Sequence, residues 1–195
     1  MTDAVPDPLV RHPLRRHLDG DPEAFAALVA EYRRPVYSYL LRCGVVAEDR
    51  DDLFQVVFLK IHRSAAQYRP DRPAHPWIFT IVANEVRTYW RRRKVRALVF
   101  APAEAREPED PSPDGERAVD ARETVAWLEE QIRELPLPQR EVLILASLEG
   151  RPLGEVAEVL AIPLNTVKTH LRRARLLLSE RLARRRAVKP GEERS

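Results

Sequence analysis

Residues 152–178 read PLGEVAEVLAIPLNTVKTHLRRARLLL, and this stretch sets the fold class. Leu153 to Leu160 covers about two helical turns, with Val156, Ala157 and Leu160 making an apolar stripe. Ala161, Ile162 and Pro163 break the pattern, because proline cannot continue a helix but suits the start of the next. A second helix then places Val167, Leu171, Ala174 and Leu178 on one side. Its opposite side carries Asn165, Lys168, Thr169, Arg172 and Arg173, with Arg175 at the edge. Ala157 is small enough for two helices to cross closely. Two short helices, a tight turn and a basic outer face describe a helix-turn-helix that lays its second helix in DNA. A helical hairpin with a solvated charged face shares the periodicity; the polar residues at the start of the second helix, where base edges are met, favour DNA.

Working outward, apolar residues recur at helical spacing through most of the 195 residues, and strand-type alternation is nearly absent. The class expected is all-α, with room for one or two small domains. The formal net charge is only +3, but the cations are clustered. Cys43 is the single cysteine, so no disulfide within the chain and no cysteine-based zinc cluster is expected; it reads as a small buried hydrophobe. No apolar run suits a membrane span, and MTDAVPDPLVRHPLRRHLDG lacks the apolar core of a signal peptide. A cytoplasmic protein without membrane insertion is the expectation. No cofactor and no metal are expected.

The proline-containing residues 1–18 read as a flexible lead-in. A first helix starts near Asp19 or Asp21, either of which can cap it, and carries Phe25, Leu28, Val29, Tyr32, Val36 and Leu40 on one side. Pro35 is expected to kink or interrupt it, and Gly44 to end it. A second helix, from about Ala47 to Gln67, opens on Glu48, Asp49, Asp51 and Asp52, which suit the positive end of its dipole. Leu53, Val57 and Ile61 face a core, while Val56, Phe58 and Leu59 widen the apolar surface. Such a helix is buried on two sides or offers a face to a protein. His62 lies on this helix with no second metal-type ligand at suitable spacing, so a ligand role is not expected of it.

YRPDRPAHP (68–76) is a loop by its three prolines. The helix after it is apolar at Trp77, Ile78, Ile81 and Val82, then carries Arg87, Arg91, Arg92, Arg93, Lys94 and Arg96 among Tyr89 and Trp90. Cations beside flat rings suit phosphates and unpaired bases. APAEAREPEDPSPDGERAVD (101–120) is acidic and proline-rich, a linker that cannot pack a core. Helices resume near Ala118 to Leu135, with Val119, Val125, Leu128 and Ile132 apolar, and near Gln139 to Leu148, with Val142, Leu143, Leu145 and Ala146 apolar.

Three segments, DGDPEAFAALVAEYRRPVYSYLLRCG, DDLFQVVFLKIHR and HPWIFTIVANEVRTYWRRR, together resemble region 2 of bacterial RNA polymerase sigma factors of the sigma-70 family, extracytoplasmic-function (ECF) group. LPLPQREVLILASLEGRPLGEVAEVLAIPLNTVKTHLRRAR resembles their region 4. The resemblance implies two small helical domains joined by a flexible acidic, Pro-rich linker. Region 2, a helical bundle, would span 19–98, the linker 99–117, region 4 with its helix-turn-helix 118–184, and a flexible tail 185–195. It further implies core RNA polymerase (β and β′ subunits) as partner, with Asp52, Leu53, Gln55, Phe58 and Leu59 docking on the clamp helices of β′. Tyr68 and Asn84 would line a pocket for a base flipped from the −10 element, with Arg87, Trp90, Arg91, Arg92 and Arg93 on the adjacent single strand. Asn165, Thr166, Lys168, Thr169, Arg172, Arg173 and Arg175 would read and grip the −35 element. Val56, His62, Thr88, Asn165 and His170 depart from the residues usual in the family.

The function so implied is that of a dissociable initiation factor. It binds core polymerase, recognises −10 and −35 promoter DNA and melts it, and is not an enzyme. Its linker lets each bound domain raise the effective concentration of the other. A conventional helix-turn-helix regulator acting without polymerase is the alternative, but it leaves the segment 68–96 without a use. Nucleic-acid enzymes are disfavoured by the lack of a metal motif, a phosphate-binding glycine loop or a nucleophile–base pair. An anti-sigma protein, which in relatives often covers both domains, and self-inhibition by the acidic linker are the two forms of control the sequence leaves open.

Overall fold

A computed structural model of the chain describes residues 12–99 and 116–188. These residues form α1 (Pro13–Leu18), α2 (Ala24–Arg42), α3 (Ala47–Ser64), α4 (Ala74–Val99), α5 (Glu116–Arg133), α6 (Leu137–Leu143), α7 (Leu153–Leu160) and α8 (Leu164–Val188). Among the described residues there is no strand. The helices fall into two compact units, one centred on α1–α4 and the other on α5–α8. The all-α architecture in two small helical domains is therefore as expected. Most of the expected linker, residues 1–11 of the lead-in and 189–195 of the tail lie outside the described residues.

In the first unit, Asp21 caps α2: the Glu23 N–H donates to its Oδ1 at 2.9 Å. α2 buries Leu28, Tyr32, Val36, Tyr39 and Leu40. It runs unbroken through Pro35, contrary to expectation. Loss of one ladder hydrogen bond is outweighed by the packing of Tyr32, Val36 and Tyr39 around that turn. Gly44, at φ +77°, ends the helix in the left-handed conformation that glycine tolerates best, and the Val45 N–H returns to the Leu40 carbonyl at 3.0 Å. Cys43 is buried, as its type suggests.

The lead-in is not wholly flexible. Pro13–Leu18 forms α1, capped by His12, whose Nδ1 accepts from the Leu14 N–H at 3.1 Å. Leu14 is fully buried, and that contact, invisible to local propensity, holds so short a helix. α3 ends in a 3₁₀ turn, Ala65–Gln67, and packs on α4. α4 buries Ile78, Phe79, Val82, Ala83 and Val86.

In the second unit, Ile132 is the only buried side chain among those described on α5; Val125 and Leu128 are exposed, and Val119 lies outside the residues whose side chains are described. The expected apolar face of α5 is thus mostly surface, because the core is reached only where the chain turns at Leu135. α6 and the π-helical turn Ile144–Leu148 bury Val142, Leu143, Ile144 and Leu145. α7 buries Val156, Val159 and Leu160, with Val159 taking the place expected for Ala157. α8 runs to Val188, into the residues expected as a flexible tail, and Arg185 there lies over the Trp127 ring at 4.8 Å.

Candidate nucleic-acid and polymerase interfaces

The turn between α7 and α8 is built as the sequence suggests. Ala161 takes φ +51°, and the Ile162 N–H reaches back to the Ala157 carbonyl at 3.1 Å, closing α7 in a Schellman-type cap. The Pro163 carbonyl then accepts from Thr166 and Val167 at 2.8 and 3.1 Å, so proline begins the next helix. α8 buries Val167, Leu171 and Ala174, which turns Asn165, Lys168, Arg172 and Arg173 outward as exposed side chains. Thr166 and Thr169 are partly exposed, and the Thr169 hydroxyl donates to the Asn165 carbonyl at 2.8 Å. Arg175 is exposed but donates to Ser147 Oγ at 3.2 Å.

α3 separates its apolar residues by face. Leu53, Val57, Phe58 and Ile61 are buried. Asp52 and Gln55 are exposed, with Val56 at 39% and Leu59 at 52% of full exposure. Two of the residues expected to dock on a partner, Leu53 and Phe58, are therefore core residues: Phe58 packs edge-on against Phe25 and lies 4.6 Å from the Phe54 ring. Val56 joins the outer surface in their place. The departure from the family pattern at Val56 thus lies on the face itself.

Tyr68 is 5% exposed, and its hydroxyl donates to the Arg72 carbonyl at 2.5 Å. Burial, with Asp71 nearby, raises its phenol pKa, so the ring stays neutral. The more accessible aromatic here is Trp77, whose ring lies 5.5 Å from Tyr68; both line a cleft with Gln67, Arg72, Pro73 and Thr80. At about 100° per residue, Trp77, Thr80, Asn84, Thr88 and Arg91 form one stripe along α4. Asn84, Arg91 and Arg92 are exposed and Arg87 half-buried. Trp77 and Thr80 were not singled out from the sequence as site residues, although their spacing to Asn84 carries the signal.

Trp90 and Arg93 lie off that stripe. Trp90 packs edge-on against Tyr89 at 5.5 Å. Arg93 donates to the Tyr89 hydroxyl at 3.3 Å and lies 3.8 Å from Asp49 at the start of α3. Burial and the hydrogen bond to Asp49 hold the Tyr89 phenol protonated. Between α3 and α4 a second polar link joins Lys60 to the buried Glu85 at 2.5 Å.

The model of sigma-70 region 2 matches residues 28–96, and that of sigma-70 region 4 matches residues 126–178. The chain is 32% identical over 176 residues to the RNA polymerase sigma factor NccH of Alcaligenes xylosoxydans xylosoxydans, covering 89% of this chain and 95% of that one. It belongs to the sigma-70 family of RNA polymerase sigma factors, in the ECF group. Among its relatives is the ECF sigma factor SigM of Mycobacterium tuberculosis, at 29% identity over 87% of this sigma factor and 82% of SigM. The solved structure of CnrH in complex with the cytosolic domain of CnrY superposes with a TM-score of 0.67 at 25% identity, over 90% and 97% of the two chains. RpoE of Bartonella quintana, solved with the anti-sigma factor NepR, shares the fold at a TM-score of 0.65 and 19% identity, over 83% and 98%. As a sigma factor, this protein directs promoter-specific initiation by RNA polymerase. Among the described residues no helix is long and apolar enough to cross a membrane.

Proposed function

We propose that this sigma factor divides its work among three surfaces. The outer face of α3, with Asp52, Gln55, Val56 and Leu59, docks on core polymerase. The cleft at Trp77, with Asn84 below it and Arg87, Arg91 and Arg92 farther along α4, receives unpaired bases and phosphates of the −10 element. The start of α8, with Asn165, Thr166, Lys168 and Thr169, meets −35 base edges, and Arg172 and Arg173 hold phosphates. The observation that carries the reading is the division of α8: one side packed as core, the other a continuous polar and basic surface starting at a helix N-terminus.

The factor contributes no bond chemistry and acts in the cytoplasm, where polymerase is. Binding energy at stacked, extruded bases opens the duplex, since unstacking costs a few kcal/mol and an aromatic wall with hydrogen-bonding neighbours returns it. A regulatory protein partner belongs to this reading, by likeness to CnrH, which was solved bound to the cytosolic domain of CnrY.

Reconstituted holoenzyme on a promoter mapped from genomic transcripts tests the assignment. Trp77→Ala and Asn84→Ala are expected to lose permanganate reactivity of −10 thymines while holoenzyme still forms. Arg172→Ala is expected to lose −35 protection. Variants that are folded, form holoenzyme and melt the promoter normally would overturn the assignments on α4.

A further inference from the structure

His17 ends α1 and His62 lies in the last turn of α3, yet the fold brings His17 Nε2 to 3.1 Å from His62 Nδ1 across 45 residues of sequence. We propose that these two imidazoles form a site for a divalent first-row transition-metal cation of the zinc, nickel or copper type. Metal–imidazole bonds are about 2.0–2.1 Å, so nitrogens this far apart subtend about 100° at a shared ion. That angle falls between the ideal octahedral and tetrahedral values, and the rings need only swing to aim both lone pairs at one point.

The surroundings suit a cation. Both histidines stand at helix C-termini, where the dipole is negative. The neighbouring cations on α1 are neutralised locally, Arg15 by Asp19 at 3.2 Å and Arg16 by Asp21 at 2.5 Å. The Phe25 ring lies 5.1 Å from each imidazole and walls one side, which limits the positions the rings sample. His62 is exposed, so water can fill the remaining positions. His17 is anchored because α1 is fixed by the buried Leu14 and by His12, whose Nε2 lies 3.3 Å from the Tyr32 hydroxyl.

Among the described residues no group of three or more histidine, cysteine or carboxylate side chains gathers for a metal. Among the described residues the site has two protein ligands, with water free to fill other positions, and its preference follows the general order in which copper exceeds nickel and zinc. His62 lies one turn beyond Leu59 on α3, so a bound ion sits at the rim of that outer face and ties α1 to it.

Isothermal titration of the chelator-treated full chain with Zn²⁺ tests the site. One saturable equivalent is expected, with affinity at least about tenfold weaker in both His17→Gln and His62→Gln. His170→Gln, in the other unit, should bind as the parent does. Cu²⁺ should bind more tightly than Zn²⁺. Circular dichroism confirms the fold of each variant, and the exposed His62→Gln suffices if His17→Gln unfolds. Absence of saturable binding, or unchanged affinity in folded His62→Gln, overturns the proposal. The readout uses neither polymerase nor DNA, so its failure leaves the three-surface reading intact.

Discussion

Leu59 and Phe58 are adjacent apolar residues on α3, and the structure gives them opposite roles that one pair of substitutions separates. Phe58 is 5% exposed and Leu59 is 52% exposed. Full burial of a leucine side chain is worth about 1.5–3 kcal/mol, so docking can still extract about 1 kcal/mol from Leu59. Leu59→Ala should therefore weaken binding to core polymerase about fivefold. It should cost less than about 0.5 kcal/mol of the factor's own stability, as surface changes do. Phe58→Ala removes a buried ring and should cost about 3–5 kcal/mol, because a cavity is left where the ring packed. The assay is a titration of fluorescently labelled factor with core polymerase, paired with a urea melt of each free variant. Wild-type affinity in Leu59→Ala, or a loss of stability in Leu59→Ala matching that of Phe58→Ala, refutes the division of faces.

Three further outcomes are expected. Arg172→Ala should weaken binding to −35 duplex across sequences and make the slope of log affinity against log salt shallower by about 1, measured by anisotropy over a salt series. Lys60→Met leaves the buried Glu85 carboxylate without its cation and should destabilise the first unit by about 1–2 kcal/mol, discounted because Lys60 is half exposed. Adding Glu85→Gln should recover most of that loss in a urea melt, and a double variant no more stable than the single one would contradict it. Ala161→Gly relieves a left-handed alanine in the α7–α8 turn and should stabilise the second unit by up to about 1 kcal/mol by thermal unfolding.

The helix-turn-helix was legible because its signals are local. A proline marks the break, and the spacing of Val167, Leu171 and Ala174 has one solution on a helix. α3 was not legible in the same way. Leu53, Val57 and Ile61 are buried as expected, but the apolar residues beyond that stripe, Val56, Phe58 and Leu59, could each face either way. Only the packing of α2 and α4 decides that Phe58 turns in and Val56 turns out. α1 was missed for a related reason: a six-residue helix has little stability of its own, and the buried Leu14 that secures it is a tertiary contact. Tyr68 and Trp77 are both aromatic and flank the same loop. Both line the cleft, and nothing local distinguishes the buried ring whose hydroxyl is spent on the Arg72 carbonyl from the more accessible one.

The same limit applies to charge, and it changes what the DNA-binding surfaces should measure. Counted from sequence, every arginine near the end of α4 and along α8 is a potential phosphate contact. The fold gives several of them other work: Arg91 donates to the Thr88 hydroxyl at 3.4 Å, Arg181 is tied to Gln131 and Glu134, and Arg185 covers Trp127. Arg93 faces Tyr89 and Asp49, and Arg175 donates to Ser147. A cation held by a protein acceptor must exchange that bond for one to phosphate, so it adds less net affinity than a free one. Counterion release depends on phosphates neutralised rather than on arginines present. Arg93→Ala should accordingly change the salt slope less than the exposed Arg92→Ala, while costing more stability through the loss of its links to α3. An equal effect of the two substitutions on the slope would mean that DNA draws Arg93 away from Asp49, and the α3–α4 link would then be broken as the promoter is engaged.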